Sequence, residues 1–329
     1  MQLLRKIAFP FSLLYAVVVY LRNVMYDQGI FSSKTFKTPT ICVGNLSTGG
    51  TGKTPMIEWL LKHISSSGKL AVLSRGYRRK SSGFLHVKPE LSPEEVGDEP
   101  LQISKKFPQY IVAVDSDRQR GIQQLEEKFS PGLILLDDAF QHRKVTASMY
   151  ILLTAFNDLY IDDWYLPTGN LRDHKKEAHR ADFIIITKCP LNLSTESQEA
   201  IRGRLKPLER QQLLFCGFEY GKEVHGPRGS KNLRDLGDEI LLVTGIANPD
   251  PLIDFMEVRG INFTHRRFPD HHFFSEGELK ELRSFPVILT TEKDFTRMNG
   301  HVPNAYYLSV KHVFLGNGKE LLSRAIENL

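Results

Sequence analysis

Short, wholly apolar runs recur along this chain, separated by longer stretches of mixed character. The runs at 40–43, 70–74, 110–114, 133–137, 150–153, 183–187 and 213–218 predict strands, and 56–66, 99–106 and 118–128 predict helices between them. A strand that is apolar throughout, rather than alternating, is buried on both faces. Such strands alternating with helices predict an α/β fold with a mainly parallel sheet covered on both sides. In these sheets ligands bind beyond the carboxyl ends of the strands.

The stretch 221–237 is polar and rich in Gly, Lys and Arg, and reads as a connector. The pattern then restarts, with strands at 240–244, 262–268, 287–290 and 305–309 and helices at 251–258, 275–284 and 317–328. The expected organisation is an N-terminal helical segment (1–30), a larger domain (31–220) and a second, smaller α/β domain (221–329). The last helix is free to pack back on the larger domain.

The N-terminus has its own pattern. Arg5-Lys6 precedes an apolar stretch, 7–21, interrupted by Ser12 and two tyrosines. As a helix it is roughly 22 Å long, short of a ~30 Å hydrocarbon core. A signal peptide shares the basic start, but 22–26 offers no small-residue cleavage site. The better reading is a helix lying in a membrane interface, with Arg5, Lys6 and Arg22 at headgroups and Tyr15 and Tyr20 as anchors. A buried core helix is the alternative.

Composition adds limits. The 329 residues, 41% hydrophobic and 25% charged, suit about two globular domains. A net charge of +5 fits acidic ligands or an anionic membrane surface, and no nucleic-acid partner is expected. Cys42, Cys189 and Cys216 sit in apolar runs without metal-ligand spacing, as reduced core residues do.

The most specific chemistry lies at 44–55. An expected strand runs into Gly44-Asn45-Leu46-Ser47-Thr48-Gly49-Gly50-Thr51-Gly52-Lys53-Thr54-Pro55, and an expected helix follows. Strand, glycine-rich turn and helix opening on Lys-Thr form a phosphate cradle. Backbone N–H groups of Gly49, Gly50, Thr51 and Gly52 face phosphates, Lys53 adds charge, and the Thr54 hydroxyl can ligate Mg²⁺. Ser47 stands where the usual pattern has glycine. The expected fold is thus a P-loop three-layer α/β/α domain beside the smaller one. The run 133–138 ends in Asp137-Asp138, where such proteins hold Mg²⁺, although an Asp cap on the next element reads the same way.

Gly97-Asp98-Glu99-Pro100 suits a helix N-terminus, and capping alone accounts for its acids. Asp270-His271-His272 offers a proton carrier. A phosphoesterase with an Asp-His-His signature is a rival, but it needs N-terminal acidic metal motifs where this chain has the phosphate loop. Among many basic residues, Arg75 and Arg172 lie in glycine-containing loops that suit a phosphate clamp. Thr187-Lys188-Cys189-Pro190 lacks the acid that a guanine site uses, so ATP is expected rather than GTP.

Taken together, these motifs resemble the tetraacyldisaccharide 4′-kinase family. The matching pieces are 43–45 with 49–55, Leu73-Ser74-Arg75-Gly76-Tyr77, 97–100, Asp115 to Arg118, 136–142, Leu166-Pro167-Thr168-Gly169-Asn170-Leu171-Arg172, 268–272 and Thr291-Glu292-Lys293-Asp294. They occur in family order across nearly the whole chain. The chain departs at Ala139 and Arg78, where glycine is common, and at 156–165, which lacks a glycine-rich loop.

The resemblance implies ATP-dependent phosphorylation of the 4′-hydroxyl of tetraacyldisaccharide 1-phosphate, in lipid A biosynthesis, at the cytoplasmic face of the bacterial inner membrane. It implies that Lys53 and Thr54 serve ATP and Mg²⁺, and that Asp137 and Asp138 belong to the metal site. Asp98 and His271 would form a dyad accepting the hydroxyl proton, with Glu99, Tyr77, Arg75, Arg118 and Arg172 around substrate and phosphate. It implies no role for 291–294. A membrane-recruited P-loop ATPase acting as a switch is the competing class. It needs neither Asp98 nor His271.

Overall fold

The structure is a computed structural model describing residues 5, 7–64 and 68–329. Lys6 and positions 65–66 of the first expected helix lie outside the described residues. Helix α1 (Phe9–Asp27) leads into β1 (Thr40–Asn45), α2 (Lys53–His63), β2 (Leu70–Ser74), β3 (Leu85–His86), α3 (Pro93–Val96), α4 (Asp98–Lys106) and β4 (Ile111–Val114). There follow α5 (Arg118–Phe129), β5 (Leu133–Asp137), β6 (Met149–Ala155), β7 (Phe183–Thr187), α6 (Thr195–Leu205), β8 (Gln212–Gly226) and β9 (Gly229–Asn232). The remainder comprises β10 (Ile240–Thr244), α7 (Asp250–Val258), β11 (Phe263–Arg267), α8 (Glu276–Leu282), β12 (Val287–Thr291), α9 (Glu292–Met298), β13 (Ala305–Phe314) and α10 (Gly318–Glu327).

The strands of the described residues form one sheet in the order β11-β10-β12-β13-β8-β7-β6-β1-β5-β2-β4-β3, with β9 paired to β8. From β8 to β4 neighbours run parallel. Strands β10 to β13 are likewise mutually parallel. The two parallel sets meet antiparallel where β13 pairs with β8. Each set has helices on its faces, because its apolar side chains alternate between two packed layers. In β1, Ile41 and Val43 pack with Met56, Leu60 and Leu101, whereas Cys42 packs with Ile122 and Phe140. Leu322 and Ile326 of α10 join the first of these layers, so the C-terminal helix returns to the N-terminal half. Burying each such side chain contributes roughly 1.5–3 kcal/mol.

The expected connector at 221–237 is instead the end of β8, a tight hairpin and β9. Phe183 to Ile186 of β7 pair with the start of β8, and the stretch beyond Cys216 pairs with β13. Glu219, Lys222 and Glu223 are exposed while Val224 is buried. The segment is polar because it has a solvent face, not because it lacks a strand.

Helix α1 reverses the usual pattern of a soluble amphipathic helix. Its buried residues are Ser12, Val19 and Asn23, while Phe11, Leu13, Leu14, Val17, Val18 and Leu21 are exposed. It is therefore not a core helix. By length and composition alone it could also cross a membrane. One expected headgroup residue, Arg22, and one expected anchor, Tyr15, turn out to face the protein. The Tyr15 hydroxyl donates to the Arg172 carbonyl at 3.0 Å, and Arg22 pairs with Asp173 at 3.1 Å. Buried Asp173 also accepts from Asn23 Nδ2, which gives the polar face of α1 its partner.

Candidate active site

The loop after β1 turns tightly into α2. Gly52 caps the helix at φ +87°, and a Cβ there would lie 3.0 Å from the buried His312 ring, so the position demands glycine. Asn45 Nδ2 donates to Thr51 Oγ1 and the Thr187 hydroxyl to the Thr51 carbonyl, each at 2.8 Å. Ser47 is buried and bridges to Leu171 without a left-handed φ, which is why the chain manages without glycine at that point. Gly49, Gly50, Thr51, Gly52, Lys53 and Thr54 line one wall of a cleft of about 460 Å³.

Strand β5 delivers two carboxylates to the same cleft in different states. Asp137 is buried, its Oδ2 accepts from the Ser74 hydroxyl at 3.0 Å, and its Oδ1 has no partner. Burial, then the Glu99 and Asp138 charges, push its carboxyl up to about 7. Asp138 at φ +48° turns toward Arg172, which donates to both its oxygens and to Asn45 Oδ1, while Lys53 Nζ lies 3.7 Å away. Burial opposes ionisation there, but Lys53 and Arg172 hold the carboxyl well below its ordinary range.

The Thr54 hydroxyl donates to Glu99 Oε1 at 3.3 Å. Among the described residues no three acids or imidazoles form a ready-made metal cage. The Thr54 hydroxyl and the buried, unpartnered Asp137 Oδ1 nevertheless line one cleft, a donor set that fits Mg²⁺, which takes one or two carboxylates and completes its shell with substrate phosphates and water.

The opposite wall combines the start of α4 with residues from the second half of the chain. Gly97, at φ +91°, lets α4 start against Gly76, whose Cα would lie 3.2 Å from a Cβ at 97. Asp98 follows, almost fully buried, and Oδ2 accepts from His271 Nδ1 at 3.0 Å. His271 adopts φ +57°, its carbonyl accepts from Arg78 at 3.2 Å, and the Tyr77 ring meets its imidazole edge-on at 5.1 Å. Arg78 itself sits at φ +59°, a left-handed backbone that glycine would adopt without steric cost. Against the cost of burial, the hydrogen bond from His271 and the charges of Lys293 and Arg297 hold Asp98 far below the usual carboxylate range.

Most of the expected site residues converge. The phosphate loop, Arg75, Tyr77, Glu99, Asp137, Asp138, Arg172 and His271 all line the cleft, and Asp98 lies behind His271. Arg118 does not reach it. It is buried behind β5, donating to the carbonyls of Asp115 at 2.5 Å and Asp137 at 3.1 Å, and braces the strand end. Its neighbours in sequence did not reveal which side of β5 it would face.

Two residues that the sequence reading did not single out carry much of the site. Lys293 Nζ lies 2.6 Å from Glu99 Oε1, and Arg297 donates to Asp98. Both belong to α9, which opens on the 291–294 motif with Thr291 as its cap, accepting from the Asp294 N–H. That Ser/Thr-x-x-Asp/Glu cap spacing was the available signal. Other basic residues are engaged structurally: Arg79 on the Gly83 carbonyl, Arg120 on Asp115, Arg143 on Asp27 and Glu177, and Arg180 on Glu177.

Comparison with known proteins gives concordant matches. The family model for tetraacyldisaccharide-1-P 4′-kinase matches residues 4–328. A tetraacyldisaccharide 4′-kinase of Flavobacterium johnsoniae is 45% identical over 324 residues, spanning 96% of this chain and 95% of the relative. One of Bacteroides thetaiotaomicron is 37% identical, spanning 98% and 92%. The crystal structure of an "apo" form of LpxK from Aquifex aeolicus in complex with ATP superposes with a TM-score of 0.77 at 31% identity, covering 99% of each chain. The chain belongs to the tetraacyldisaccharide 4′-kinase family: it is a kinase that phosphorylates the 4′ position of the disaccharide with ATP in lipid A biosynthesis.

Proposed function

We propose that the cleft between the two halves is where the γ-phosphoryl group of ATP passes to the 4′-hydroxyl of tetraacyldisaccharide 1-phosphate. The observation that carries this is the Asp98–His271 hydrogen bond, which joins the halves across the cleft that holds the phosphate loop. Gly49 to Gly52 bind phosphates through backbone N–H groups, and Lys53 and Arg172 offset charge on the transferring group. Arg75, Tyr77 and Glu99 face the acceptor side. His271 and Asp98 form the pair that takes the hydroxyl proton. Thr54 and Asp137 would hold Mg²⁺ directly, since Asp137 Oδ1 is free and Asp138 is engaged by Arg172, which leaves Asp138 at the edge of the metal site. Bound there, Mg²⁺ supplies charge neutralisation at the phosphates.

Residues 31–220 act as the nucleotide domain and 221–329 as the smaller domain that contributes His271. Closure of the two excludes water and limits wasteful hydrolysis. The apolar outer face of α1 rests on the inner-membrane surface at its cytoplasmic side, where an acylated acceptor resides and ATP is available, and no nucleic acid takes part.

The test is mass spectrometry of the lipid precursor incubated with enzyme and Mg-ATP. A gain of one phosphate is expected. Asp98→Ala should abolish that gain while ATP binding survives, and transfer at the wild-type rate by this variant would refute the dyad.

A further inference from the structure

Resting on that reading, with His271 as the member of the pair that takes the proton, we infer that Arg297 is a positioning residue for the dyad: it holds Asp98 as a carboxylate turned away from the cleft, with His271 Nδ1 set against it. The Arg297 side chain has no solvent exposure. Its Nε and Nη2 donate to Asp98 Oδ2 at 2.8 and 2.5 Å, and its Nη1 donates to Asp294 Oδ1 and to the Gly245 carbonyl, each at 2.7 Å. Asp294 is itself fixed by the Gly245 N–H at 2.9 Å and the Thr291 hydroxyl at 2.7 Å. The otherwise unassigned 291–294 motif thus becomes the mount for this guanidinium.

The consequence for Asp98 follows from its lone pairs. Oδ1 accepts the Glu99 N–H at 2.9 Å, and Oδ2 accepts from Arg297 and His271. A carboxylate so fully hydrogen-bonded and charge-compensated is a weak base. It also lies outside the cleft wall that His271 forms. His271 Nδ1 is 3.0 Å from Oδ2 and 3.3 Å from Arg297 Nη2; the shorter contact is to an ionised carboxylate, which only accepts, and Arg297 already spends Nη2 on that carboxylate at 2.5 Å, so the proton sits on Nδ1. With Nδ1–H directed at Asp98, Nε2 presents its lone pair. The nearest acid to it, Asp270, is 3.9 Å away, beyond hydrogen-bond reach.

In the transfer the acceptor oxygen forms a bond to the γ-phosphorus and the bond from that phosphorus to the ADP oxygen breaks, its electron pair leaving with ADP. The hydroxyl proton passes to Nε2, and the imidazolium is stabilised through Nδ1–H by Asp98. Arg297 touches none of the reacting atoms.

The experiment uses the full chain with tetraacyldisaccharide 1-phosphate and Mg-ATP, comparing wild type, Arg297→Met, Arg297→Lys, Asp98→Asn and the Asp98→Asn/Arg297→Met pair. Arg297→Met should lower kcat about 100-fold with KM for ATP within about threefold, and guanidinium ion in the buffer should restore part of the loss. Arg297→Lys should recover little, since an ammonium cannot reproduce the fork. Nitrogen NMR should show the Nδ1–H tautomer of His271 in wild type and a mixture in Arg297→Met. Should Arg297→Met fail to fold, the pair, which removes both charges, decides the matter: its kcat should match that of Asp98→Asn. A kcat within about twofold of wild type for Arg297→Met, an unchanged tautomer, or losses that multiply in the pair would overturn the inference. Absence of transfer by wild type would instead overturn the proposed function.

Discussion

Lys293 and Glu99 form an ion pair, Nζ to Oε1 at 2.6 Å, that ties α9 of the second half to α4 of the first. Two turns further along α4, Lys106 lies 2.7 Å from Glu292 and 2.6 Å from Glu58 of α2. With Asp98–Arg297, the helix pair is joined by alternating charge at the edge of the cleft. Removing one partner leaves the other short of its counter-charge in a partly desolvated place. Lys293→Met should therefore destabilise the protein by about 1–3 kcal/mol, discounted for the remaining exposure of the pair. Urea unfolding with an unchanged midpoint would show that the pair contributes nothing.

The raised carboxyl of Asp137 makes stability depend on pH. A group whose folded value, about 7, exceeds its unfolded one binds its proton more tightly in the native state. Its contribution is complete below about pH 4 and is lost as pH rises through the folded value. Glu292, also raised to about 7 by burial and by Glu58, adds in the same sense. Without nucleotide, the thermal midpoint of wild type should fall between about pH 5 and 7.5, and Asp137→Asn should flatten part of that fall. Identical slopes for the two proteins would contradict an Asp137 that carries its proton into the neutral range.

The phosphate loop offers a paired substitution. Gly52→Ala places a Cβ at φ +87° and 3.0 Å from the His312 ring, while Ser47→Gly acts at a site with no such demand. The left-handed conformation alone costs about 1–2 kcal/mol. Gly52→Ala should weaken ATP binding at least about tenfold in calorimetry, and Ser47→Gly should change it less than about threefold. Equal effects would mean that the loop geometry is not what binds phosphate.

Legibility in the sequence followed the range of the interactions. Strands β1, β2, β5 and β7 were readable because burial on both faces makes them apolar at every position, and the loop after β1 because its chemistry is contiguous. The second half of β8 was misread, since its solvent face made a strand resemble a connector. Arg297 was harder to read: its contact with Asp98 spans 199 positions, and the Thr291 cap spacing marks only the start of its helix. Arg118 erred the other way, as a basic residue near functional motifs that packing turned inward. The assembled site depends on α4 meeting α9, which neither helix encodes alone.

Helix α1 separates two roles by face. Leu14 and Val18 are 63% and 58% exposed, whereas Asn23 is buried against Asp173. Replacing Leu14 and Val18 with serine removes apolar surface that mostly faces solvent, so the thermal midpoint should change little while association with anionic vesicles weakens. Each side chain is worth roughly 1.5–3 kcal/mol when fully buried in an apolar phase, so the pair should cost more than tenfold in vesicle partition. Asn23→Leu should do the reverse. It leaves the Asp173 carboxylate without one donor, at about 1–3 kcal/mol, and loosens α1 from the segment that carries Arg172, while the outer apolar face stays intact. Flotation with vesicles and thermal unfolding on the same two variants read the two faces independently. If the serine pair floats like wild type, the apolar face of α1 is not what meets the membrane.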